Sequence, residues 1–107
     1  MFEEEIETYK NEIDELAINP RFKQITDVMD FRRCLWRTNK DSPDNYKEDL
    51  VSLFEKNFLV AFYNEKDNIF EIKLNFYNPV LLDFLETPEF KTIFATFLDV
   101  FKGLGDN

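Results

Sequence analysis

The first segment of the chain alternates apolar and polar side chains with the period of an α-helix. Its apolar residues recur at intervals of four and three, which places them on one stripe of a helix. The acidic residues fall between them, so this helix is predicted to carry a charged outer face. Asn19-Pro20 is predicted to end it. The apolar stripe consists of Phe2, Ile6, Tyr9, Ile13 and Leu16.

A second helical pattern covers the segment that follows. Asn19 is suited to cap a helix that has Pro20 in its first position. We therefore predict a helix from Pro20 to about Met29. Residues 32–38 read RRCLWRT, and their alternation fits a strand as well as a helix. Both possibilities stay open for that segment.

The middle of the chain changes from a helical to an extended pattern. Ser42-Pro43 is again a capping pair, and it predicts a helix that ends near Lys56. The run 58–63 is continuously apolar, and a polar turn at 65–68 separates it from 69–77, where apolar and polar residues alternate. This pattern is typical of a β-hairpin whose second strand has one buried and one solvent-exposed face.

Two more helices are predicted towards the C-terminus. Asn78-Pro79 begins the first, and Thr87-Pro88 begins the second. The apolar face of the second runs from Phe90 to Phe101, and Gly103 ends it. The sequence therefore predicts an α+β fold, with about five helices packed on a small antiparallel sheet. That sheet gains a third strand if 32–38 is extended.

The length and composition predict one globular domain, 1–107, without the usual equipment of an enzyme. Hydrophobic residues make up 44% of the chain, which is enough to fill a core. The chain has no histidine, the commonest general base and metal ligand. Its two glycines, Gly103 and Gly105, lie too near the end to form a usual phosphate-binding loop. We expect no catalytic residue, no cofactor and no bound metal.

The net charge of −9 at pH 7 narrows the class of partner. Such a charge repels the backbone of nucleic acids and the anionic surface of membranes, and it favours contact with basic proteins. Cys34 is the only cysteine, no secretion signal is visible, and no apolar run is long enough to span a bilayer. We therefore expect a cytoplasmic protein. The sequence does not indicate its oligomeric state.

The charge is unevenly distributed. Residues 1–17 contain seven carboxylates and one lysine, whereas 20–40 contain six basic residues and two acidic ones. The basic residues Arg32, Arg33 and Arg37 either pair with the acidic first helix or form a separate patch. Both arrangements remain open.

Two acidic clusters are the candidate partner-binding residues. Their function is best explained by a basic protein partner such as a toxin or nuclease domain, because a nuclease needs a basic cleft. In composition the chain resembles bacterial immunity proteins in general, which implies an inhibitor that binds a toxin. The alternatives are an intracellular adaptor or structural module and a phage-type DNA mimic. The clusters comprise Glu3, Glu4, Glu7, Asp14 and Glu15, and Asp41, Asp44, Glu48 and Asp49.

One enzyme-like pattern stands beside these clusters. Pro43-Asp44 followed by Glu71-Ile72-Lys73 resembles the PD-(D/E)xK nuclease signature. In that signature two carboxylates hold a divalent metal and the lysine assists the attacking water. However, Asp44 is expected in the first turn of a helix rather than at the end of a strand. We therefore predict that the protein is not an enzyme.

Cys34 and the tyrosines have expected structural roles. Cys34 has no imidazole partner in the chain and is expected to be a buried thiol. The tyrosines are expected to be half-exposed, either at the edge of the core or as anchors of an interface. They are Tyr9, Tyr46, Tyr63 and Tyr77.

Overall fold

The computed structural model of the chain describes residues 3–88. Within them it shows an α+β fold, as the sequence predicts, with four helices where about five were expected for the whole chain. The expected last helix, Phe90 to Phe101, lies outside the described residues. The elements are α1 (Glu3–Ile18), β1 (Lys23–Ile25), α2 (Val28–Thr38), α3 (Asp44–Glu55), β2 (Leu59–Asn64), β3 (Ile69–Leu74) and α4 (Pro79–Leu85).

The three strands form an antiparallel sheet in the order β1-β2-β3. Ala61 lies at its centre, with Ile25 of β1 on one side and Ile72 of β3 on the other. The predicted hairpin is confirmed, and its turn occupies 65–68. Asn68 closes the turn with φ 53°, a left-handed conformation that asparagine tolerates better than most residues.

The predicted helix from Pro20 to Met29 is wrong. Residues 23–25 form β1, because pairing with the edge of β2 and burial of Ile25 outweigh the local helical spacing. The Asn19 side chain accepts a hydrogen bond from the Arg21 N–H at 3.0 Å, which makes a turn rather than a helix cap.

The third strand is therefore present, but not near 32–38. That segment belongs to helix α2, whose cap is Asp27; the Asp27 carboxylate accepts a hydrogen bond from the Met29 N–H at 3.3 Å. Phe31, Cys34 and Leu35 are buried at helical spacing. Packing of this stripe against the sheet decides the ambiguity in favour of helix.

Helices α2 and α3 cover one face of the sheet. Alternation along β3 places Phe70, Ile72 and Leu74 on this face. The Phe31 ring of α2 stacks on Phe54 of α3 at 4.3 Å between centroids and meets Phe70 edge-on at 5.7 Å. The main hydrophobic core lies here. It includes Leu35, Leu50, Val51, Leu59, Ala61 and Leu81.

Helix α1 covers the opposite face. It contacts β2 and β3, and Lys73 of β3 reaches Glu12 of α1 with 3.2 Å between the ammonium nitrogen and a carboxylate oxygen. Ile13 and Phe62 are buried on this side, outside the main core cluster. The sheet thus lies between α1 and the α2–α3 pair. No helix within residues 3–88 combines the length and the apolarity needed to cross a bilayer.

A set of asparagines joins the end of α3 to the start of α4. Asn57 has φ 64° and follows the helix as its left-handed stop, with the Phe58 N–H bonded to the Leu53 carbonyl at 2.9 Å. The Asn57 carbonyl then accepts hydrogen bonds from the side-chain amides of Asn75 and Asn78, both at 3.0 Å. Asn75 is therefore buried, although the alternation of apolar and polar residues in this strand predicted that its side chain would be exposed to solvent.

The predicted capping pairs differ in outcome. The Asn78 side chain accepts a hydrogen bond from the Val80 N–H at 3.0 Å, and Pro79 occupies the first turn of α4, as predicted. At α3, Pro43 itself is the cap residue rather than Ser42, and no side chain caps the helix there.

Candidate functional site

The outer surface of α1 carries the first predicted acidic cluster. At about 100° per residue, its members fall within about a third of the helix circumference, opposite the apolar stripe that includes Ile13. All of them are exposed. We call this surface the acidic face; it consists of Glu3, Glu4, Glu7, Asp14 and Glu15.

Local interactions favour helix formation under this charge. Glu3, Glu4 and Glu5 lie in the first turn, where the positive end of the helix dipole stabilises carboxylates. The Thr8 hydroxyl donates a hydrogen bond to the Glu4 carbonyl at 2.9 Å. Burial of Ile13 anchors the other side of the helix to the sheet. The acidic face therefore lies on a helix whose opposite side is packed against the sheet.

Cations of the described chain do not neutralise the acidic face. Within residues 3–88, the only α1 carboxylate in an ion pair is Glu12, which lies outside the face and bonds to Lys73. Arg32 pairs instead with Glu48, and Arg33 pairs with Asp30 at 3.0 Å. Arg32 and Arg33 thus belong to a separate region and do not fold onto α1.

Tyr77 stands at the border of the acidic face. Its hydroxyl donates to the Asp14 carboxylate, at 2.7 Å and 2.9 Å from the two oxygens, and the ammonium of Lys10 lies 5.3 Å from its ring centroid. The hydrogen bond to Asp14 raises the pKa of Tyr77, because it stabilises the protonated hydroxyl. Tyr77 is 50% exposed, as expected for an aromatic residue at an interface.

The other three tyrosines are partly buried, as expected. The Tyr9 ring stacks on Phe76 at 5.2 Å, and burial raises the pKa of Tyr9. Tyr63 donates its hydroxyl to the Asn68 side chain at 2.7 Å. Tyr46 has a buried hydroxyl with no hydrogen-bond partner within residues 3–88, and burial raises its pKa. These three side chains are packed within the fold, whereas the Tyr77 side chain forms part of the protein surface.

The second predicted acidic cluster lies on the other side of the sheet, on and just before α3. The two clusters therefore do not form one surface. Glu48 is held by both amino groups of Arg32, at 2.7 Å and 2.8 Å, and Asp44 lies 3.9 Å from Lys47. Asp41 and Asp49 are exposed and make no ion pair with any residue that the structure describes.

The α2–α3 pair uses much of its charge for its own packing. Arg32 and Lys47 both lie against Trp36, at 5.6 Å and 5.3 Å from the ring. Lys47 is only 3% exposed. The hydrogen bond from Arg32 lowers the pKa of Glu48, since it stabilises the ionised carboxylate. These charges connect two helices and are less available to a partner than those of α1.

The nuclease-like pattern is divided by the sheet. Asp44 begins α3 on one side, whereas Glu71 and Lys73 point to the side that α1 covers. The Lys73 ammonium lies 3.8 Å from Glu71 and is also paired with Glu12. Within 3–88 there is no group of three or more histidine, cysteine, aspartate or glutamate side chains placed to hold a metal ion. The pattern therefore does not assemble the arrangement of the signature.

Cys34 is buried in α2, as predicted. Burial raises the pKa of its thiol, although Arg37 and Arg33 act in the opposite direction. A protonated, buried thiol is a poor nucleophile, so Cys34 acts as a small core residue.

The structure also contains a cleft of about 470 Å³ between the end of α1 and the hairpin turn. Charges of both signs line it, and its buried amide, Asn64, is already bonded to Asp67 at 3.1 Å. The acidic face is therefore the stronger candidate. No family model matches the chain, and no curated protein or solved structure matches it either.

Proposed function

We propose that this protein binds a basic protein partner through the acidic face of α1, and that it acts as an inhibitor of the immunity type against a nuclease-like toxin. The observation that carries the proposal is the absence of ion pairs, within residues 3–88, at all five carboxylates of this face. Carboxylates that no cation of residues 3–88 neutralises can attract a cation of another protein.

The physics of nuclease inhibition fits such a face. A nuclease holds a polyanionic substrate, so its cleft is basic, and a set of carboxylates on a rigid helix is electrostatically complementary to that cleft. Attraction between the two surfaces accelerates their encounter, and salt weakens it. Burial of Ile13 and the Glu12–Lys73 ion pair hold α1 against the sheet. Because the helix is already ordered, binding through it has a lower entropic cost.

Tyr77 and Asp14 supply a candidate anchor for this interface. Asp14 accepts the tyrosine hydroxyl, so both side chains are held in place before a partner arrives. Tyrosine is enriched among the residues that contribute most to protein–protein binding. Tyr77 is therefore the expected contact at one border, and the unpaired glutamates are the expected contacts across the face.

An immunity protein of this kind would act in the cytoplasm of the cell that makes the toxin. An adaptor would use the same face without inhibiting an enzyme, and a DNA mimic would bind a host nuclease. The identity and activity of the captured protein separate the three cases.

The test compares two sets of charge reversals. One variant changes Glu4, Glu7 and Glu15 to Lys on the acidic face, and it leaves Asp14 in place because Asp14 bonds to Tyr77. The control changes Asp41, Asp49 and Glu65 to Lys, which alters the net charge equally at exposed positions away from that face. Both variants are immobilised beside the unmodified protein, and bound proteins are identified at about 0.05 M and about 0.5 M salt.

The proposal predicts a basic protein with nuclease activity that the unmodified protein and the control capture at low salt and that the α1 variant does not capture. Adding the unmodified protein should inhibit the nuclease activity. Far-UV circular dichroism should show that both variants are folded. Equal capture by the α1 variant, or capture that high salt does not weaken, would contradict binding through the acidic face.

A further inference from the structure

The sheet has two edges of unequal character. β1 is only three residues long, and short edge strands offer little to another chain. β3 is six residues long, contains no proline or glycine, and has no strand on its outer side within the part of the chain that the structure describes. Such an edge is a template for strand addition.

The hydrogen-bond pattern tells which residues of β3 face this outer edge. The Asn75 N–H donates to the Phe58 carbonyl at 2.9 Å, so Asn75 is directed towards β2. Alternation in an antiparallel ladder then directs the backbone groups of Ile69, Glu71 and Lys73 towards β2 as well. Phe70 and Ile72 present their N–H and C=O groups to the outer edge.

The side chains of β3 are self-complementary in antiparallel pairing. We propose that β3 pairs with β3 of a second copy of this chain, about a two-fold axis at Ile72. In this register Ile72 lies opposite its own equivalent, and Glu71 of each copy lies opposite Lys73 of the other. These opposite charges occupy the non-hydrogen-bonded positions, where cross-strand side chains come closest.

The register also satisfies the backbone. Ile72 exchanges two hydrogen bonds with its equivalent, and Phe70 pairs with Leu74 of the second copy. The Leu74 carbonyl already accepts the Phe76 N–H at 3.0 Å and shares its second lone pair with the new bond. The Phe70 and Ile72 side chains stay in the α2–α3 core of their own copy, so main-chain bonds and the charge pairs form the contact.

The two-fold axis runs perpendicular to the sheet, because residues opposite each other in an antiparallel pair point to the same face. The dimer therefore has one six-stranded sheet with both α1 helices on the same side. Both acidic faces are then presented together. This inference does not depend on the proposed function, since the edge and its pattern exist whatever α1 binds.

Sedimentation velocity on the full chain tests the proposal, over about 10 µM to 1 mM. Glu71→Lys places two lysines opposite each other and should weaken the dimer about tenfold, while the Glu12–Lys73 pair remains. Lys73→Glu should weaken it similarly. The double variant Glu71→Lys/Lys73→Glu should restore the homodimer, and an equimolar mixture of the two single variants should form a heterodimer.

Amide exchange gives a second readout that does not depend on the variants. The N–H groups of Phe70 and Ile72 should become protected as concentration rises. A chain that stays monomeric over the whole range would overturn the proposal, as would a dimer that Glu71→Lys leaves unchanged. Protection of the Ile72 amide in a chain that sediments as a monomer would assign the edge to a segment of the same chain, and this too would overturn it.

Discussion

The two sides of the sheet use acidic residues in opposite ways. On the α2–α3 side, Glu48 is bonded to Arg32, and the main hydrophobic core lies beneath. On the α1 side, Glu12 is the only α1 carboxylate bonded to a cation within residues 3–88, and Ile13 and Phe62 are buried apart from the main core cluster. The side that holds the fold together uses charge internally, whereas the other side leaves its charge exposed.

This contrast shows why the number of acidic residues alone does not locate a binding surface. Both clusters are exposed and both are acidic in sequence. What separates them is that Glu48 and Asp44 of the second cluster already have a cationic partner, whereas no carboxylate of the acidic face has one within residues 3–88. A bonded carboxylate must lose that partner before it binds another protein, while an unbonded one loses only water.

The largest effect expected from this comparison is on the α2–α3 side. Phe31→Ala removes a fully buried ring that contacts both Phe54 and Phe70, and it should lower the free energy of unfolding by about 3–5 kcal/mol. Urea denaturation followed by far-UV circular dichroism measures this. Met29→Ala, on the same helix but 60% exposed, should change it by less than about 0.5 kcal/mol. Equal effects of the two variants would contradict the position of the core.

A smaller effect is expected beneath α1. Ile13→Ala should lower the free energy of unfolding by about 2 kcal/mol, at the low end for such a substitution, because Ile13 is buried outside the main core cluster. It should also speed amide exchange in α1 more than in α3. The matched control is Ile18→Ala, at the last residue of the same helix, where the side chain is 82% exposed. If Ile13→Ala cost as much as Phe31→Ala, the two sides would not differ in packing.

The sequence predicted those parts of the fold in which one local pattern is strong. The stripe of α1 and the change from continuous to alternating pattern in the hairpin each gave the correct element. β1 was missed because a three-residue strand has no periodicity of its own, and it exists only through its register with β2. Asn75 was misplaced because its burial depends on the Asn57 carbonyl, which is distant in sequence.

The candidate site was predictable as a set of residues but not as a surface. Spacing placed the acids of α1 on one face. It did not show that Asp41 and Asp49 lie on the opposite side of the sheet from α1, nor that Arg32 pairs with Glu48. The Tyr77–Asp14 bond joins residues 63 positions apart, and no local pattern in either segment specifies it.

The smallest expected effect is a difference between the two sides in how the stability of the fold depends on pH. The bond from Arg32 lowers the pKa of Glu48 below its ordinary value of 4.5, so the folded state favours the ionised carboxylate more than the unfolded state does. The resulting stabilisation is present above the unfolded pKa and is lost as pH falls through the folded one. Glu48→Gln should therefore be less stable than the unmodified protein at pH 7, and the difference should close in acid.

Glu15→Gln is the matched control for this titration. It removes the same charge from a chain of net charge −9, so the general relief of repulsion is common to both variants. Glu15 has no ion pair within residues 3–88, and its substitution removes no internal bond. Urea midpoints measured between about pH 3 and pH 7 should thus fall below those of the unmodified protein at neutral pH only for Glu48→Gln. A pH-dependent loss of the same size for Glu15→Gln would mean that α1 also uses its acids internally, and the distinction between the two sides would fail.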